Sequence, residues 1–351
     1  MNHSRRPLAL LGRLLLTVSL VVLTAPLLAA NEQPLKLNGS GASFPAPLYL
    51  RWFRDYYLAH PQVKADYQST STSGGVKDLI AGRVDFAGSD LPLTEEQAGQ
   101  VSGGMLQVPL AAGGIVAIYN VDGVSELRLS RQALVGIFSG TVTRWNDPAI
   151  AATNADATLP DMPIIVVARA DSSGTSYKFS RYLSALSQDF AEAVGTSMGP
   201  SWPKALKARG GLVRGRGNSG VAATVRAIPG SIGYVEYAFG FLPGISMAAL
   251  ENRAGKLVDP DTAGFEAGLQ SVIVNHSVRN ATDPVGEEAY PIVAISWLVL
   301  RRAYDDPAKL TTLKDVIGFA MGPGQAVTEP LGYIRFPPLL TTYVQEQLKQ
   351  P

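Results

Sequence analysis

Three short segments rich in serine, threonine and glycine stand directly ahead of helical patterns. They are Gly39-Ser40-Gly41-Ala42-Ser43-Phe44-Pro45, Ser71-Thr72-Ser73-Gly74-Gly75-Val76 and Asp171-Ser172-Ser173-Gly174-Thr175-Ser176. The first turn of a helix carries unpaired N–H groups and a partial positive charge. Glycine lets the backbone approach a ligand closely, and hydroxyls add further donors. Such turns suit an anion, and each alone also suits plain helix capping. Arg169 closes the apolar run from Ile164 to Ala168 and stands two residues before Asp171. Its guanidinium fork matches tetrahedral oxygens, with Asp171 placed to fix it. A surface ion pair is the plainer alternative.

Asp90 follows Gly88-Ser89 at the end of a second apolar run, Val84 to Ala87. A carboxylate offers acceptors only, so among anion donors it is useful only if the ligand brings a hydrogen. Inorganic phosphate keeps at least one near neutral pH and sulfate keeps none. Asp90 would therefore accept from the first and repel the second. The alternative is a cap for the acidic segment Thr94-Glu95-Glu96.

Alternating strand and helix patterns carry these residues. Strands are predicted at Val84–Ala87, Gly114–Tyr119, Pro163–Ala168 and Ile292–Leu300. Helices are predicted from Leu48, Trp52 and Tyr56 after Pro45 and Pro47, and from Val76, Leu79 and Ile80. A third runs from Ser130 to Gly140, and a long stripe joins Phe179, Tyr182, Leu183, Leu186 and Phe190. The order implies an α/β fold with mainly parallel sheets. Arg209 to Gly220 reads as a Gly- and Arg-rich surface loop.

The chain has 351 residues, enough for about two domains. There are no cysteines, which excludes disulfides, thiolate metal sites and a lipid-anchored N-terminus. Met1 to Ala30 reads as an export signal: Arg5, Arg6 and Arg13, then an apolar run from Leu14 to Leu28 and small residues near Ala30. With those three arginines set aside, 27 of the 30 basic residues face 29 acidic ones, a net charge of −2. That balance argues against a nucleic-acid partner. Any bound anion must then be held by local charge.

GSGASFPAPLY, YQSTSTSGGVKDLIAGRVDFAGSD, RADSSGTSYKF and GSIGYVEYAF, in this order through residues 36 to 300, together resemble the substrate-binding protein of the phosphate-specific ABC transporter. The resemblance implies a two-lobed periplasmic binding protein with a hinge and a ligand cleft between its lobes. It would capture inorganic phosphate in the periplasm and deliver it to the membrane permease subunits of an ABC importer with its ATPase. No cofactor, metal or catalysis is implied. By motif position, Ser43, Phe44 (through its backbone N–H), Thr72, Asp90, Arg169, Ser173, Gly174 and Thr175 would hold phosphate. Asp171 would support Arg169 from behind. Thr72 stands where the family usually has serine. The family division gives residues 1–30 as signal peptide, 31–111 with 290–351 as one lobe and 112–289 as the other. The crossings fall near Gly113-Gly114 and Tyr290-Pro291, and the Arg209–Arg216 stretch lies outside the ligand set.

Other readings are open to the same residues. Sulfate or molybdate would suit the donors without Asp90. Gly195-Thr196-Ser197-Met198-Gly199 fits the nucleophile pattern of a serine hydrolase, which needs a strand before the serine and a helix after it, with His276 as base. Gly215-Arg216-Gly217-Asn218-Ser219-Gly220 fits a dinucleotide loop, and a structural turn or a secondary anion contact fits it too.

Overall fold

The computed structural model describes residues 33–273 and 282–350, so the export signal expected at 1–30 and His276 lie outside the described residues. The main strands are β1 (Leu35–Gly41), β2 (Val63–Ser69), β3 (Phe86–Ser89), β4 (Met105–Asn120), β5 (Ile165–Arg169), β6 (Leu212–Gly215), β7 (Ser231–Glu236) and β8 (Val293–Arg301). The helices that matter here are α1 (Ala46–Ala59), α2 (Thr72–Ile80), α3 (Arg131–Ser139), α4 (Gly174–Leu186), α5 (Gln188–Ala193) and α6 (Gly217–Ala227).

Across the sheet the strands run β2-β1-β3-β8-β4-β7-β5-β6. One flank is parallel, β1 with β2 and β3. So is the other, β5 with β6 and β7. The two centre strands break the expectation of mainly parallel pairing. β8 runs antiparallel to both β3 and β4, and β4 runs antiparallel to β7. β4 changes partner between two adjacent residues: Gly114 pairs with Val293 of β8, and Ile115 with Glu236 of β7. The result is a two-lobed α/β architecture with β4 common to both flanks. Every residue from Val108 to Tyr119 is buried, the mark of a strand covered on both faces. Each large apolar side chain buried there contributes about 1.5–3 kcal/mol relative to exposure.

Local sequence explains most boundaries. Ser130 caps α3 by accepting from the Ala133 N–H at 3.0 Å, and Gly140 ends it in the left-handed conformation that glycine adopts freely. Thr94 and Gln97 form a reciprocal capping box ahead of Glu95–Gly99, so Asp90 is not the cap of that segment. The long aromatic stripe is two helices, since Ser187 ends α4 and caps α5. Arg209–Gly220 is a surface loop only in part: Leu212–Gly215 is the edge strand β6, and Gly217 opens α6.

α2 packs its start directly on β1. A Cβ at Gly75 would lie 2.4 Å from Gly41 Cα and 2.5 Å from the Ser40 carbonyl oxygen. In an open helix alanine would be favoured over glycine by about 1 kcal/mol. Here the obstacle is backbone, which cannot move aside, so overpacking decides the sign. Gly75→Ala is expected to lower stability by about 1–3 kcal/mol in denaturant unfolding. A stabilised variant would show that α2 does not sit on β1 this closely.

Candidate functional site

Arg169 is the last residue of β5, and its backbone is pinned on two sides. Its N–H approaches Tyr234 Oη at 3.5 Å, and its carbonyl accepts from Arg214 Nη1 at 2.8 Å. Arg169 is 4 % exposed, and its guanidinium grips Asp171 twice, Nε to Oδ1 at 2.9 Å and Nη2 to Oδ2 at 2.6 Å. This forked pair uses one edge of the guanidinium. The third nitrogen, Nη1, is buried and has no hydrogen-bond partner among the described residues. Burial raises the Asp171 carboxyl, but the hydrogen bond and charge of Arg169 outweigh it and hold the group below its ordinary value. Asp171 Oδ1 also accepts the Gly217 N–H at 2.9 Å, which ties α6 to the pair.

Asp90 stands just beyond β3 and is 2 % exposed. Its Oδ1 accepts from Ser296 Oγ at 2.9 Å, and its Oδ2 more weakly from Thr72 Oγ1 at 3.4 Å. Burial lifts its carboxyl above the ordinary value. The Ser296 hydrogen bond, the charges of Lys178 and Arg169, and the Thr72 contact oppose that lift only in part. The start of α4 meets the start of α2 at this point. The Gly174 N–H donates to Thr72 Oγ1 at 3.1 Å, and Ser73 Oγ lies 2.7 Å from Ser172 Oγ. A Cβ at Gly174 would lie 2.3 Å from Asp90 Cβ, so only glycine permits this approach.

The remaining predicted residues fall in the same cluster. Ser43 precedes α1, and its Oγ accepts from Arg169 Nη2 at 3.3 Å. The Phe44 ring lies in the core against Tyr333, and the Phe44 carbonyl accepts from Tyr333 Oη at 2.7 Å. Ser173 caps α4 by accepting from the Ser176 N–H at 3.1 Å. Thr175 is buried, with an Oγ1 that has no partner among the described residues. The structure thus brings Ser43, Thr72, Asp90, Arg169, Asp171, Gly174 and, at their side, Phe44, Ser173 and Thr175 into one buried polar region. A wider groove of about 580 Å3, lined by residues such as Arg131, Val135 and Phe190, contains none of them.

Three neighbours escaped the sequence reading. Ser296, in the middle of β8, is fully buried and donates to Asp90. Lys178 lies one helical turn beyond Gly174 and is half-buried. Burial pushes its ammonium down to about 8, against the attraction of Asp90. The i, i+4 relation to Gly174 puts it on the Asp90 side of α4 and could have flagged it. Asn218, wholly buried at the start of α6, reaches Ser43 through both its backbone N–H and Nδ2, each at 3.1 Å.

The two competing motifs take other roles. Ser197 follows helix α5 instead of a strand, and its main chain bonds with Ser180 Oγ. It is a turn. The Gly215–Gly220 motif does join a strand to a helix, but the first N–H groups of that helix go to Asp171 and Ser43.

A parallel-flanked sheet with helix starts converging between its halves is the architecture of periplasmic binding proteins. Comparisons with known proteins agree. A family model for the PBP superfamily domain matches residues 28–323. The phosphate-binding protein PstS of Xylella fastidiosa strain 9a5c is 36% identical over 330 residues, spanning 92% of this chain and 87% of the relative. That of Pasteurella multocida strain Pm70 is 35% identical over 326 residues, spanning 92% of each. A high affinity periplasmic phosphate-binding protein solved with phosphate bound, PfluDING, superposes with a TM-score of 0.72 at 21% identity, covering 89% of this chain and 93% of that one. The phosphate-binding protein from Stenotrophomonas maltophilia gives 0.65 at 21% identity over the same shares. The chain belongs to the PBP superfamily and, within it, to the family of the phosphate-binding protein PstS.

Because burial raises the Asp90 carboxyl, the folded protein holds that proton more tightly than the unfolded chain does. The penalty is absent below the ordinary value of 3.8, grows as pH rises from there to the raised value, and is full above it. Asp90→Asn is therefore expected to stabilise the ligand-free protein at about pH 8, with the gain vanishing near about pH 3. Thermal unfolding at the two pH values checks this. An equal effect at both would mean that the charge carries no penalty.

Proposed function

We propose that this protein binds inorganic phosphate between its two lobes in the periplasm and hands it to the permease subunits of an ABC importer. One observation carries the reading. Arg169 Nη1 and Thr175 Oγ1 are buried without a partner among the described residues, the charge of Arg169 acts on the buried Asp90 carboxyl, and Gly174, next to Thr175, packs against Asp90. Donors alone would fit any tetrahedral oxyanion. Donors together with an ionised acceptor fit one that still carries a hydrogen, which favours phosphate over sulfate or molybdate.

In this reading Ser43, the Phe44 N–H, Thr72 and Asp90 hold the ligand from one lobe, and Arg169, Ser173, Gly174 and Thr175 from the other. The lobes comprise residues 31–111 with 290–351, and residues 112–289. The partner change of β4 between Gly114 and Ile115 supports a crossing there. Contacts from both sides are complete only when the lobes meet, so ligand shifts the population toward the closed form. That closed shape is what the permease subunits would recognise. Binding needs no covalent step. Residues 1–30 would direct export and be removed, and no helix among the described residues is long and apolar enough to cross a membrane. The names of the relatives and the phosphate in the solved neighbour support the choice of ligand.

Arg169→Ala is expected to weaken phosphate binding by about 100-fold or more, because the buried anion loses its paired cation. Calorimetric titration checks this, and an unchanged affinity would remove Arg169 from the site. Asp90→Asn is expected to narrow the gap between phosphate and sulfate, measured by titrating both anions. Sulfate rejection that survives intact would show that the carboxylate is not the filter.

A further inference from the structure

Ser43 Oγ is surrounded by donors. Asn218 N and Nδ2 both approach it at 3.1 Å, and Arg169 Nη2 at 3.3 Å. A hydroxyl oxygen has two lone pairs and one hydrogen. The two amide donors of Asn218 fill both lone pairs, and the longer guanidinium contact adds to the crowding. The oxygen therefore has no acceptor capacity left, and its hydrogen must turn away from all three donors. The orientation of the Asn218 amide is itself fixed. Its Oδ1 accepts the Glu236 N–H at 3.2 Å, so a flipped amide would set two donors against each other. A single polarity runs through the chain of contacts: Glu236 N–H to Asn218 Oδ1, then Asn218 Nδ2 to Ser43 Oγ, then the Ser43 hydrogen outward.

We propose that Asn218 is a positioning residue that holds the Ser43 hydroxyl as a donor toward the bound anion and latches the closed lobes. This rests on the phosphate reading above. Asn218 and Ser43 are 175 positions apart and fall in different lobes of the proposed division. Closure and the alignment of this donor are then one event. Asn218, two residues beyond the Arg209–Arg216 stretch, acts through Ser43 instead of touching the ligand.

The test uses residues 31–351, inorganic phosphate, calorimetric affinity and dissociation rates. Asn218→Asp keeps the size and the acceptor for the Glu236 N–H, but it presents an oxygen that draws the Ser43 hydrogen to itself. A loss of about tenfold or more is expected, mostly as faster dissociation. In a Ser43→Ala background the same change should cost less than about twofold, since the hydroxyl it misdirects is gone. Asn218→Ala removes the side-chain donor without adding charge; a loss of about fivefold that likewise disappears in Ser43→Ala is expected. It decides the matter if Asn218→Asp fails to fold, with thermal unfolding as the check. Full-size losses in the Ser43→Ala background would reveal simple repulsion or damage and overturn the proposal. So would Asn218 variants that bind as tightly as wild type. Wild-type protein that ignores phosphate would instead overturn the phosphate reading, and this proposal with it.

Discussion

Charges buried without bulk water are the constraint that organises this molecule. Removing an ion from water costs several kcal/mol unless hydrogen bonds and opposite charge replace the solvent. Asp90, Asp171 and Arg169 are all withdrawn from solvent within one cluster. The Asp171 carboxylate is answered by two forked bonds from Arg169 and by the Gly217 N–H, while Arg169 Nη1 has no partner among the described residues. Asp90 is answered only in part, by Ser296, a long contact from Thr72 and more distant cations, and its carboxyl remains raised. In the proposed function, the incompletely compensated Asp90 and the unpaired Nη1 of Arg169 would make the region a binding site and not a structural ion pair.

The sheet supplies the positions. Arg169 and Asp90 stand at the ends of strands on opposite flanks, and β4 with β8 fixes the flanks to one another. The helix starts then bring N–H groups and hydroxyls to the same place, with glycine wherever backbone meets backbone or carboxylate. Gly41 against the Gly88 backbone, Gly174 against Asp90 and Gly75 against β1 are three such approaches. Function and stability pull against each other here, since the charge that rejects sulfate in this account also destabilises the ligand-free fold.

Much of this was readable from local sequence. Helix starts follow from serine, threonine and proline placed before apolar stripes, and strand cores from short Ile and Val runs, because both depend on neighbours a few residues away. The Ser/Thr/Gly turns, Arg169 and Asp90 were readable for the same reason. Strand direction is not a local property, so the antiparallel centre made by β4 and β8 was missed. Ser187 was hidden because Leu186 and Phe190 keep helical spacing across the break. The glycines and arginines of Arg209–Gly220 masked a four-residue edge strand and the buried Asn218. Ser296 looks like any serine in an apolar strand until β8 is placed beside β3. Each omission is a residue whose role is set by a partner far along the chain.

The central claim is that a carboxylate admits a hydrogen-bearing oxyanion and refuses a bare one. Its most direct test is calorimetric titration of wild-type residues 31–351, freed of bound ligand by unfolding and refolding, with phosphate and with sulfate under the same conditions. The account requires saturable heat with phosphate and none with sulfate. A flat phosphate trace, or equal binding of the two anions, would contradict it.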